Sequence, residues 1–444
     1  METPASELAP RSELTADDLR DAWPTLSADE RLEGFLLLSR SYAEDFILGL
    51  SAREMAALLL ALPSGERRSW VRLLPPDDVA DLIQHAPAGE RESLLGLLDG
   101  PTRNEVAGLL AYAEDEAGGL MSPRFARVRP DATVDEAISY LRKEARARLE
   151  TLYYIDALDE QQRLLGVVSL KQLFAAGPDK KVRDVMRTDL VAVREETDQE
   201  TVGRLFAQHD LLAVPVVDAE GRMKGVVTID DVVDVVQEEA TEDLQKFGGM
   251  EALGAPYLEI GFTHMVRKRG GWLAALFLGE MLTASAMAYF EEEIARAVVL
   301  ALFIPLIISS GGNSGSQAST LVIRAMALAE IRLRDWWRVA RRELAAGLAL
   351  GSVLGSIGFL RIVVWQAVSP IYGPHYMLVA LTVFFTLIGV VTFGTLAGSL
   401  LPFALRRLGL DPASASAPFV ATLVDVSGLV IYFTVAGILL RNVL

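Results

Sequence analysis

Five apolar runs at residues 271–290, 294–328, 344–368, 376–405 and 413–440 fix what the second part of this chain can be. Each is long enough to cross the ~30 Å hydrocarbon layer, which takes ~20 mostly apolar residues in a helix. An odd number of spans puts the two ends on opposite sides. Lys and Arg in the short flanks set the orientation. Arg267, Lys268 and Arg269 precede the first run, five arginines from Arg332 to Arg342 lie between the second and third, and Arg406 and Arg407 follow the fourth. The alternate loops hold the acidic residues 291–293 and the uncharged residues 369–375. Every basic flank therefore lies on the side of the N-terminal region, expected to be cytoplasmic, with the C-terminus extracytoplasmic in the cell (inner) membrane.

Charge divides the chain the same way. Residues 1–262 carry 28 Lys/Arg against 50 Asp/Glu, a net of −22, whereas residues 263–444 are net +5. So acidic a soluble part is a poor match for nucleic acid. The absence of cysteine excludes disulfides and thiolate metal sites. The first thirty residues include eight acidic side chains and no apolar core, so no signal peptide is expected.

The fold class expected is multidomain: an all-α superhelical N-terminal domain, α/β tandem repeats and a five-helix transmembrane domain. A flexible tail is expected at 1–24. Residues 25–120 carry apolar positions at helical spacing, punctuated by Pro63, Pro75, Pro76, Pro87 and Pro101. Residues 121–237 hold an internal repeat, with Met121 and Met186 opening the copies. The copies close on LGVVSLKQL at 165–173 and KGVVTIDDV at 224–232, each reading strand, turn, strand, helix. Residues 238–266 connect to the membrane part at 267–444, and the glycines and Pro256 between 247 and 256 should break that connector.

The paired repeats resemble CBS domains. Around them, EDEAGGLM at 114–121, EEATED at 238–243, PLIISSGGNSGSQ at 305–317, LGLDP at 408–412 and TLVDVSG at 422–428 resemble the MgtE family of magnesium transporters. The similarity covers the chain after the tail, in the family's domain order. It implies a homodimer with a Mg²⁺ path built from the second and fifth spans. It also implies cytosolic domains that sense Mg²⁺ and close the path through a connecting plug helix. By position, the family's inter-domain metal residues fall on Asp77, Asp81, Gly119, Asp198, Glu200, Asp210, Asp231, Asp234, Glu239, Glu242 and Asp243. Asp411 falls at the inner mouth and Asp425 in the path.

Several of these residues can be weighed without the family. A carboxylate at Asp425, inside a span, costs ~2.5–3.5 kcal/mol to insert, so it should face water or a partner. The alternative is a hydrogen bond to a neighbouring helix. Asp411, beside Pro412, is equally well placed as a helix cap. In the second span nine small or polar residues follow one another from Ser309 to Gln317. Small residues serve close helix packing, but packing leaves the amides of Asn313 and Gln317 unexplained. With Ser316 they are candidate pore-lining residues for a hydrated hard cation. Seven carboxylates crowd residues 230–243 with nothing basic between them. A shared Mg²⁺ would relieve their repulsion; a merely solvated acidic face is the alternative.

Two further ligand and function classes stay open at this stage. The Ser/Thr-x-x-Asp pattern with which CBS pairs hold a ribose survives as Thr228 and Asp231 but not in the first copy, where Gln172 stands in place of the acid. One ATP-type site at the CBS domains is therefore allowed. No Walker loop, HExxH or GxSxG is present, so no enzyme is expected. The function expected is a Mg²⁺-gated channel for magnesium uptake. The alternatives are an ion-coupled divalent-cation transporter and a CBS nucleotide sensor on a membrane scaffold.

Overall fold

The computed structural model describes residues 14–144, 149, 151–258, 260–292 and 298–441. The chain divides into two compact units, Met1–Val236 and Gln237–Leu444.

The first unit begins with short helices whose starts are written in the sequence. Thr15, Ser27 and Ser51 each accept the backbone N–H three residues on, and the Asp18, Glu30 and Glu54 carboxylates accept the reciprocal N–H. Each such box is worth about 1 kcal/mol. The loose tail expected over residues 1–24 does not hold beyond Thr15: Ala16–Ala22 is helical, and Leu19 and Trp23 are buried. Residues 1–13 lie outside the described residues. Prolines start rather than interrupt helices, at Pro63, Pro75 and Pro101. Phe35, Phe46, Leu59, Leu82 and Ile83 fill the core, with the Trp23 and Phe46 ring centres 4.8 Å apart. Burying each such side chain is worth about 2 kcal/mol.

The repeat takes the same path twice. Strands β1 (Arg127–Val128), β2 (Tyr154–Leu158) and β3 (Leu164–Ser169) form one sheet, and β4 (Val193–Arg194), β5 (Ala213–Val217) and β6 (Met223–Thr228) the other. In each, the first strand pairs parallel and the third antiparallel to the middle one. The register slips at the same place, between Ala157 and Leu158 and between Val216 and Val217. The first repeat keeps a core of its own around Ile155, Val168 and Leu173. The second shares one with the helical part, joining Val214, Val227 and Phe206 to the Leu82 and Val106 layer. Helix Ile229–Phe247 leaves β6 and ends at Gly248, and Gly249 and Gly254 take φ of +74° and +63°. The connector is broken where the glycines stand.

Among the described residues of the second unit, five helices are long and apolar enough to cross a membrane. We number them spans 1 to 5: Phe262–Tyr289, Ile304–Ala327, Trp336–Val368, Tyr376–Arg407 and Ala417–Leu439. Span 1 starts nine residues before the expected position 271 and carries Arg267–Arg269 within its first turns, because a helix continues beyond its apolar stretch into the interface. Span 5 starts later than expected, since Pro412–Ser414 forms a separate 3₁₀ turn. Spans 2, 3 and 4 pack through glycine. A Cβ at Gly394 or Gly398 of span 4 would collide with the carbonyl oxygen of Gly311 or Gly315 in span 2. Gly347, Gly351 and Gly355 bring span 3 equally close to span 4. In lipid, such contact replaces the hydrophobic driving force. Span 1 buries none of its residues.

Candidate cation path and sensor residues

The small-residue run of span 2 has two faces. Gly311, Gly312, Ser314, Gly315, Ala318 and Ser319 are buried against spans 4 and 5. Ser309, Asn313, Gln317 and Thr320 are exposed and fall on one stripe by helical spacing. The Asn313 amide donates only weakly, to Ser309 Oγ at 3.4 Å. Ser316 is on the border and its hydroxyl reaches the Ala417 carbonyl at 3.4 Å. The run thus serves helix packing with one face and presents exposed amides with the other. Asp425 is partly buried in span 5, and the Glu280 carboxyl of span 1 sits beside it. The sequence leaves the role of Glu280 open, as one acid in an apolar helix that can pair with a neighbouring helix.

At the base of span 5, Asp411 does two things. One carboxylate oxygen accepts the Ala413 N–H at 2.8 Å and caps the 3₁₀ turn. The other accepts from the Lys246 ammonium at 2.7 Å, and Lys246 also pairs with Glu242. Burial pulls the Lys246 amine down, but its bonds to Asp411 and Glu242 outweigh this and hold it well above the usual lysine range. Lys246, three residues beyond the acidic cluster, thus offsets one of its carboxylates, Glu242. The broken connector is held too: Leu253 N–H donates to the Gln245 side chain at 2.6 Å, and Lys268 pairs with Glu251 at 3.3 Å.

In the first unit the expected sensor residues are spread over several elements. Asp77 is buried and accepts from Ser122 Oγ at 3.3 Å. Asp81 sits one turn further along the same helix, where its carbonyl bonds His85 Nδ1 at 2.9 Å. The segment holding Gly119 is tied to the second repeat, with Glu116 bridging Asp198 and the Ala117 N–H donating to the Thr197 carbonyl at 2.7 Å. Asp198 caps helix Gln199–His209 by accepting from the Glu200 and Thr201 N–H groups. Glu200 pairs with Arg204 at 3.4 Å, and Asp210 closes the helix in the left-handed region. Asp231 accepts from Thr228 Oγ1 at 2.8 Å. Desolvation, and then the Asp230 charge, hold Asp234 above the usual carboxylate range. Glu239 and Asp243 lie in the second unit with Glu242. Among the described residues, no three acidic or histidine side chains already form a metal cage.

A cleft of about 330 Å³ opens between the repeats, and Thr151, Asp156, Ser169, Gln172, Arg187 and Asp189 are among its lining. Thr228 and Asp231, the expected nucleotide residues, do not line it. Asp156 was missed in the sequence; its signal is a lone carboxylate in a strand that is otherwise apolar or aromatic.

Family models match three parts of the chain: the MgtE intracellular N domain over 14–115, the CBS domain over 117–179 and 182–238, and MgtE, a divalent cation transporter, over 304–435. The magnesium transporter MgtE of Thermus thermophilus is 41% identical over 434 residues, covering 97% of this chain and 94% of that protein. The chain belongs to the MgtE family. The MgtE of Bacillus subtilis is 33% identical over 81% of this chain and 77% of its own length. Among solved structures, the cytosolic domain of the Mg²⁺ channel MgtE in complex with ATP is 42% identical. That match covers 50% of this MgtE-family chain and 91% of that one, with a TM-score of 0.47.

Proposed function

We propose that this MgtE-family protein carries Mg²⁺ into the cell through a homodimeric channel in the cell membrane, N-terminus inside and C-terminus outside. The observation that carries the reading is the exposed amide stripe of span 2 in a unit that also holds Asp425. Asn313 and Gln317 at mid-span would be unsatisfied in hydrocarbon. A second copy facing this stripe would turn it into a wet wall for a hydrated cation, with Ser316 at its edge. An inside-negative potential favours a divalent ion by ~4.6 kcal/mol per 100 mV, so no coupled ion is required. Asp425 would stabilise the ion in the path and Asp411 would stand at its inner end.

Regulation belongs to the same reading. Mg²⁺ acts as cargo and as regulator, held by carboxylates among Asp77, Asp81, Asp198, Glu200, Asp210, Asp231, Asp234, Glu239, Glu242 and Asp243, and by the Gly119 backbone. Hard oxygen donors with retained water suit Mg²⁺. Since no cage is pre-formed among the described residues, ion binding would draw separate elements together and so favour one arrangement over another. The CBS pair adds an adenine nucleotide, placed in the cleft between the repeats, where Arg187 offers a phosphate partner.

Mg²⁺ uptake into proteoliposomes under an imposed potential tests the transport reading. Wild type is expected to fill the vesicles without a counter-ion gradient, and Asp425→Ala to lose most of that flux. Uptake that needs a Na⁺ or H⁺ gradient would mark a coupled transporter. Flux unchanged in Asp425→Ala would refute the assigned path.

A further inference from the structure

The cleft between the repeats contains a feature that the second repeat's motif does not share. In the second copy the ribose-type acid, Asp231, accepts from Thr228 and lies outside the lining. In the first copy the same position is Gln172. Its side-chain oxygen is spent at home, accepting from both Ser169 N–H at 2.8 Å and Ser169 Oγ at 3.0 Å to cap helix Leu170–Ala175. Neither motif position therefore offers the cleft a free acceptor.

Asp156 does. It stands on β2, one strand over from Ser169, and lines the cleft while only 3% of its surface is exposed. Among the described residues its carboxyl has no hydrogen-bonding partner: its backbone N–H donates to the Ala126 carbonyl, and burial is the one influence on its acidity. An ionisable group so enclosed and unpaired is costly unless a ligand pairs with it. We infer that Asp156 supplies the carboxylate the first motif has lost, accepting hydrogen bonds from the vicinal hydroxyls of a ribonucleotide whose phosphates reach Arg187. This rests on the nucleotide reading of the cleft given above. The same pairing of an acid with a ribose 2′-hydroxyl recurs in dinucleotide folds.

Charge and titration agree with the assignment. Burial pushes the Asp156 carboxyl up to about 7. The titratable groups around it are Tyr154 on its own strand, Arg127 opposite on β1, and Arg187 and Asp189 after the first repeat. Arg127 is engaged with Gln162 at 2.9 Å, and Arg187 and Asp189 are exposed. From β3 come Val167 and Ser169, and from the second repeat Ala213, Pro215 and Val226, none of them titratable. A hydroxyl-donating ligand needs the ionised acid, so its binding should tighten as pH rises through neutrality.

Isothermal titration of the full-length protein in detergent, with ATP and 2′-deoxy-ATP and no added Mg²⁺, tests this on wild type and Asp156→Asn. Wild type is expected to favour ATP by roughly tenfold or more, a charged hydrogen bond being the difference. Asp156→Asn should erase that preference. Between pH 6 and 8 the wild type should gain up to about tenfold relative to Asp156→Asn, which cancels the titration of the phosphates. ATP binding with the same ribose preference in both proteins would overturn the role of Asp156 and leave the nucleotide reading standing. No binding of either nucleotide to wild type would overturn the nucleotide reading, and this inference with it.

Discussion

Asp156 carries a stability consequence that needs no ligand. Its carboxyl titrates near 7 when folded and at its ordinary 3.8 when unfolded. Between those values the folded chain holds a proton that the unfolded chain has released, so stability is greatest below about 4 and falls as pH rises through 7. The full loss is at most about 4 kcal/mol. Asp156→Asn should remove it: thermal melting of the variant is expected above wild type at pH 8 and close to it at pH 4. Equal melting at pH 8 would mean the acid is solvated. Glu280 makes a second residue-scale case. Beside Asp425 it places a second carboxyl along the proposed path, so Glu280→Gln should lower Mg²⁺ flux several-fold while leaving a folded protein. Unchanged flux would place Glu280 outside the path. Asp156 was not legible as functional in the sequence, being a single acid in an apolar strand, and the role of Glu280 stayed open because its neighbour Asp425 comes from far along the chain.

At the scale of elements, local rules read well and contacts across the sequence did not. The helix starts at Thr15, Ser27 and Ser51 follow from the hydroxyl and the acid three residues later, and the spans follow from their apolar length. The Lys246–Asp411 pair joins positions 165 apart, and nothing in either neighbourhood announces it. Here an ammonium stands between Glu242 and Asp411, two carboxylates of the proposed cation-binding set. Lys246→Met leaves them facing each other uncompensated. The variant is expected to pass more Mg²⁺ when internal Mg²⁺ is low and to respond more steeply as it rises, measured as proteoliposome flux against internal concentration. An unaltered dose response would make the lysine a surface pair of negligible worth. The connector offers another test. Gly249 has φ of +74°, and a Cβ there would press on Trp272 and Pro418. Gly249→Ala should cost about 1–3 kcal/mol in this arrangement, read as faster proteolysis at the 248–256 connector in saturating Mg²⁺.

For the whole molecule, the division into an acidic soluble part and an apolar membrane part was plain from charge and hydropathy, since each part meets a different solvent. What composition could not give is how one stretch, Ser309 to Gln317, serves two purposes at once, glycines packing inward while amides point away. That split emerges only when span 4 approaches Gly311 and Gly315. In the proposed function, a passive path for a divalent ion is closed by the same ion acting on cytosolic carboxylates. Currents through excised membrane patches, with Mg²⁺ on the cytosolic face raised from micromolar to tens of millimolar, test it most directly. The expected result is frequent opening at the low end and closure at the high end, with no counter-ion present. Equal current at both ends, or no current without a coupling gradient, would contradict it.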